Sequence, residues 1–184
     1  MSKQKSLTWS QVKAKLSSAS QKELLDIIRD MYKLNPDNKV FLSSHLHIGD
    51  TQDLSELYRR IIRNEFNPDR GFPRLNLKAA RKALNDFKKA SADPKAVADL
   101  MVYYVEQGVQ CTLQYGDIDE GFYSSLESVF SDAIELITKT GDTEMIADFY
   151  PRLERIVRDT SGIGWGFHDY LHDIFYREYP QSFN

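Results

Sequence analysis

A single cysteine, Cys111, occurs in the 184 residues, so neither an intramolecular disulfide nor a cysteine-rich metal knot can form. A lone thiol on an apolar helix face is expected to be buried and inert. Proline and glycine are sparse, at 6 and 9 positions, which leaves long intervals free of helix breakers. The longest apolar run, Leu100 to Val105, falls far short of the roughly 20 residues that a bilayer-crossing helix needs. Met1 to Trp9 contains lysines but lacks the apolar stretch of a secretory leader, so the expected location is the cytoplasm, away from membranes. No segment alternates in the manner of a β-strand, which argues against every sheet-based class.

What the chain does contain is helix punctuation. Ser20 with Glu23 has the form of a capping box opening a helix to about Leu34, along which Leu24, Ile27, Ile28, Met31 and Leu34 make an apolar stripe. Trp9, Val12 and Leu16 mark a short helix before it, and Val40, Phe41 and Leu46 a short one after. The first fifty residues therefore read as three small helices packed on one another. Beyond the Ile48-Gly49-Asp50 turn, Leu54, Leu57, Tyr58, Ile61 and Ile62 trace a further helix that Asn67-Pro68 closes. Asn76 can cap the next, and Asp93-Pro94 opens a long one that Gly116 stops. Asp117, with Glu120 three positions on, is the expected cap of the helix carrying Phe122, Leu126, Phe130 and Ile137. Another helix follows Gly141-Asp142, with Pro151 expected to kink it, and an aromatic-rich helix runs from about Gly166 to Tyr179.

This pattern predicts an all-α fold of about eight or nine helices, either an irregular bundle or a short stack of antiparallel helix pairs. The whole chain, residues 1–184, reads as one domain of about the usual size. Short helices occupy 8–66, a connecting loop 67–75, and longer helices 76–180. Asp93 and Asp142 lie about 49 residues apart, near the helical-repeat lengths, yet the two blocks share nothing beyond periodicity.

Charge is unevenly distributed beneath a net charge of −3. Between Arg59 and Lys89 basic residues dominate, whereas from Ala96 to Tyr150 eleven acidic residues face Lys139 alone. Such polarity can attract an anionic partner, or bring the two regions together across an internal seam or a subunit contact. Arg70, Arg74, Lys78, Arg81 and Lys82 form the best candidate anion-binding face, with Lys78 and Lys82 one turn apart. A pI near 5.8 argues against general nucleic-acid binding.

Few residues suggest chemistry. His168 and His172, at i and i+4, share a helix face and could bind a transition metal together, completed in space by Asp117, Asp119 or His45. The alternative is a polar edge on an aromatic helix. The carboxylates of Asp117, Asp119 and Glu120 suit a helix start and lack the EF-hand spacing. Gly162-Ile163-Gly164-Trp165-Gly166 precedes a helix without the strand or lysine of a phosphate loop. Gly162 in a left-handed cap, with Trp165 and Phe167 turned inward, is the simpler reading. No local nucleophile motif points to an enzyme, and no cofactor is expected.

Four segments carry a family resemblance: Lys82 to Lys89, Tyr104 to Val109, Tyr115 to Tyr123 (YGDIDE with Phe122-Tyr123), and Asp159 to Asp169 (DTSGIGWGFHD). Together the chain resembles a bacterial family known only as a domain of unknown function, most specifically between about Asn76 and Tyr176. The resemblance implies a helix-rich, cytoplasmic bacterial protein and transfers no reaction, cofactor or catalytic residue. The leading expectation is a non-enzymatic interaction domain that binds a protein partner or itself, with Asp117, Asp119 and Trp165 as candidate contacts. Metal or small-ligand binding through His168 and His172, and phosphate or nucleic-acid binding through the Arg70 to Lys82 face, are the alternatives.

Overall fold

The computed structural model describes residues 8–34, 38, 39, 42, 46 and 51–179, among which there are eight α-helices and no strand. They are α1 (Trp9–Ser17), α2 (Gln21–Leu34), α3 (Thr51–Phe66), α4 (Leu77–Ala90), α5 (Pro94–Tyr115), α6 (Glu120–Lys139), α7 (Thr143–Asp159) and α8 (Phe167–Glu178). The all-helical class is as expected from sequence. None of these helices is long and apolar enough to cross a membrane.

The centre of the fold is α5. Its 22 residues are apolar nearly all round, so that Val97, Leu100, Met101, Val102, Tyr104, Val105 and Val109 can be buried on several sides at once. α3, α4, α6 and α7 all pack on it, while α8 closes the far side against α6 and α7. Tyr104, Phe130 and Leu153 have no exposed surface. Edge-to-face rings run through this core from Tyr104 to Phe66 to Phe122 to Tyr123, with centroids 5.1 to 5.7 Å apart.

Local chemistry sets the helix ends. Asn76 Oδ1 accepts from the Ala79 amide at 3.1 Å, Asp93 from Lys95, and Asp142 from Glu144 and Met145. Ser20 and Glu23 form the expected capping box. One cap differs from expectation. Asp119, not Asp117, caps α6, accepting from the Phe122 amide at 2.8 Å, because α5 ends at Tyr115 and four residues intervene before Glu120. α7 continues through Pro151 as one helix.

The N-terminal expectation fails more substantially. α1 and α2 form where predicted but bury no residue, and the stripe of α2 faces outward. Ile27, Ile28, Met31 and Leu34 are 42 to 82% exposed. Among the described residues the stripe is therefore not a core face. The turn at Ile48–Asp50 and the helix expected around Val40 and Phe41 lie outside the described residues.

Candidate functional site

Two segments far apart in sequence, the α5–α6 turn and the α7–α8 turn, meet at one end of the bundle. Gly116, at φ +88°, ends α5 and redirects the chain so that Asp117 reaches back toward Tyr123 on α6. The Tyr123 hydroxyl donates to Asp117 Oδ1 at 2.9 Å, accepts from the Ile118 amide at 3.4 Å, and lies 2.6 Å from Thr112 Oγ1. Burial pushes the phenol above its ordinary pKa. The ring packs against Phe167, centroids 4.9 Å apart, which brings the start of α8 to the same place. Gly164 completes the approach, since a Cβ there would stand 3.6 Å from Asp117 Oδ2.

The candidate contact residues separate here by role. Asp119 is spent on the α6 cap and Asp117 on Tyr123, whereas Trp165 is free to meet another molecule. The expectation that Trp165 packs inward is overturned: it is 60% exposed and held at φ +64°, while Phe167 alone is buried. Gly162, at φ +86°, follows the end of α7 as expected. Phe72, 83% exposed, packs its ring near Tyr115 at 6.3 Å.

On α8 the two histidines are neighbours, with ring centroids 6.0 Å apart, and the His172 ring lies 4.6 Å from that of Tyr176. His168 Nδ1 is 3.1 Å from the Val157 carbonyl and 3.1 Å from Thr160 Oγ1. A carbonyl can only accept, so Nδ1 carries the proton and Nε2 keeps its lone pair. Among the described residues no three His, Cys, Asp or Glu side chains gather as a metal site, so Asp117 and Asp119 do not complete one with these histidines. His45 and His47 lie outside the described residues.

The proposed anion face is also divided. Arg70, Arg74 and Lys78 are exposed, but Arg81 reaches α6, where it donates to the Ser125 carbonyl and to Ser128 Oγ at 3.5 and 3.3 Å. Lys82 pairs with Asp86. The basic and acidic regions do meet internally at another place, where Arg59 of α3 pairs with Asp99 of α5.

That pair belongs to a cluster that sequence reasoning missed. Arg152 of α7 donates to Asp99 at 2.6 Å and grips both oxygens of Glu106 at 2.8 Å, while Arg59 also stacks over Tyr103 at 4.4 Å. Seven residues separate Asp99 from Glu106, which places both carboxylates on one stripe of α5; that spacing was the available signal. A cleft of about 330 Å³ beside the cluster is lined by Lys95, Asp99, Asp148 and Arg152. Within it Lys95 pairs with Asp148 at 2.6 Å and Arg152 with Asp99 at 2.6 Å, while Asp93, also on the lining, caps α5. Cys111 is buried, and burial raises its thiol pKa to about 11, which makes it a poor nucleophile.

No curated protein and no solved structure matches the chain. A family described as a family of unknown function (DUF6155) matches residues 7–177, almost the full length. The chain belongs to that family.

Proposed function

We propose that this protein is a non-enzymatic cytoplasmic interaction domain that self-associates through α2. The observation that carries this reading is the exposed stripe of Ile27, Ile28, Met31 and Leu34 on a well-capped helix. Large apolar side chains grouped on one helix face mark a contact surface, whereas scattered ones do not.

The charge of α2 selects the occupant. Lys22, Arg29 and Lys33 balance Glu23, Asp26 and Asp30, and Arg29 is already paired with Asp26 at 3.1 Å. A helix that lies on an anionic membrane carries an excess of basic residues, which α2 lacks. A neutral helix meets a second copy of itself without repulsion. In an antiparallel pair, its slightly acidic first half faces the slightly basic second half of its partner. The lone buried thiol suits a reducing compartment.

At 14 residues α2 is roughly 21 Å long and 10 Å wide. One pair of such helices covers less than the about 1,200 Å² of a standard interface, so the dimer is weak and concentration-dependent. Light scattering from micromolar to submillimolar protein tests this. The expected result is a rising mass that Ile28→Glu abolishes while far-ultraviolet dichroism stays unchanged, since Ile28 supports no core. A single-chain mass throughout the range overturns the reading.

A further inference from the structure

We propose that His168 and His172 form an open two-histidine site on α8 for one divalent late first-row metal ion, Cu²⁺, Ni²⁺ or Zn²⁺, with the remaining coordination positions held by water. This inference is independent of self-association, because it concerns another helix and other side chains.

Three features of the structure converge on it. The first is spacing: residues four apart on a helix share a face, and these rings stand 6.0 Å apart between centroids. A metal held by both Nε2 atoms at about 2.1 Å and a tetrahedral angle sets the two ring centres roughly 5.3 Å apart, so the half-exposed His172 ring has only to swing slightly toward His168 to close the site. The second is tautomer. A metal-binding imidazole offers one nitrogen to the ion and donates its other N–H to an oxygen, which fixes the ring and raises its basicity. His168 has this arrangement, with Nδ1–H directed at the Val157 carbonyl beside the fully buried Thr160. At His172 the same nitrogen faces a carboxylate, Asp173 Oδ1, at 3.5 Å. Both Nε2 atoms are without a hydrogen-bond partner among the described residues.

The third feature is rigidity on one side combined with access on the other. Thr160 donates its own hydroxyl proton to the Val157 carbonyl at 2.7 Å, so His168 docks on a preformed acceptor pair at the end of α7. His172 is about half exposed and its ring lies beside Tyr176. An ion can thus reach the pair from solvent. Two imidazoles without a thiolate or a third protein ligand select borderline ions that favour nitrogen over hard oxygen-seeking ones, so Mg²⁺ and Ca²⁺ are excluded.

The test is a calorimetric titration of the chelator-treated full chain with Ni²⁺, Zn²⁺ and Mg²⁺ separately. One Ni²⁺ or Zn²⁺ per chain is expected, with no heat from Mg²⁺, and His172→Ala should weaken binding at least tenfold. His172 is exposed, so that variant keeps its fold, as dichroism will verify. Nitrogen-15 NMR of the imidazoles should show Nδ1 of His168 protonated in the free protein and Nε2 of both rings perturbed by Zn²⁺. The double variant His45→Ala/His47→Ala should bind as the parent does. Unchanged affinity in His172→Ala, loss of binding in the His45/His47 variant, or perturbation at Nδ1 would each overturn the proposal.

Discussion

A Cβ added to Gly108 on α5 would lie 2.6 Å from one terminal carbon of Leu126 on α6 and 3.0 Å from its Cγ. Leu126 has no exposed surface into which it could retreat. Gly108→Ala would gain about 1 kcal/mol of helix propensity. Overpacking a filled core costs typically about 1–3 kcal/mol. A net loss of up to about 2 kcal/mol is expected, read as a lower urea midpoint with an unchanged slope.

Arg152 is the one side chain that bridges Asp99 and Glu106, and both its partners are largely shielded from water. Arg152→Ala leaves Glu106 without its guanidinium and Asp99 with Arg59 alone. Removing one member of a buried ion pair costs about 3–5 kcal/mol. With roughly 30% of each side chain exposed, about 1–3 kcal/mol is expected here. Arg152→Lys should recover only part, since an ammonium cannot grip both oxygens of Glu106. Chemical denaturation of the two variants measures the difference.

Asp119→Ala should destabilise the fold by about 1 kcal/mol through loss of the α6 cap. Asp119→Ser, which retains a capping oxygen, should recover most of it. Asp117→Ser should not behave as a cap change, because that carboxylate serves Tyr123 and receives no amide from α6. Equal losses for Asp117→Ser and Asp119→Ala would mean that the helix begins two residues earlier.

Stability should fall at alkaline pH. Burial raises Cys111 from 9.0 to about 11, and it also raises Tyr179, whose hydroxyl donates to the Ile146 carbonyl at 2.6 Å. The folded state holds these protons more tightly than the unfolded chain does, so the stabilisation is complete below about pH 9 and is lost as pH rises through the folded values. Thermal melts from neutral pH to pH 11 should show a steady decline that Cys111→Ala makes shallower. At neutral pH a disulfide reagent should label Cys111 only after unfolding.

Trp165 tests the cost of an L-residue in left-handed backbone. At φ +64° a glycine is about 1 kcal/mol easier to accommodate than alanine. Trp165→Gly should therefore be more stable than Trp165→Ala by about that amount in thermal or urea unfolding. The reverse order would show that the turn adopts another conformation in solution.

Helix existence and most helix ends were legible in the sequence because they depend on neighbours. Asn76, Asp93 and Asp142 cap the amides just after them, and a 3.6-residue period marks each buried stripe within its own segment. Asp117 and Asp119 show the limit of that reading. Either carboxylate could cap α6, and what decides is Tyr123, folded back to claim Asp117.

The periodicity of α2 stated that one face is apolar, and that much is local. Whether the face is covered depends on what lies opposite, and only the packing of α3 to α8 around α5 shows that nothing in the described chain does. Likewise the spacing of His168 and His172 put them on one face, but the fixed tautomer of His168 comes from Val157 and Thr160, eleven and eight residues away at the end of another helix. Covalent neighbours determine backbone conformation through short-range sterics and hydrogen bonds, so sequence alone determined the helices. Tertiary structure decided the partners, because a side chain's surroundings depend on contacts whose sequence separation carries no periodic signal.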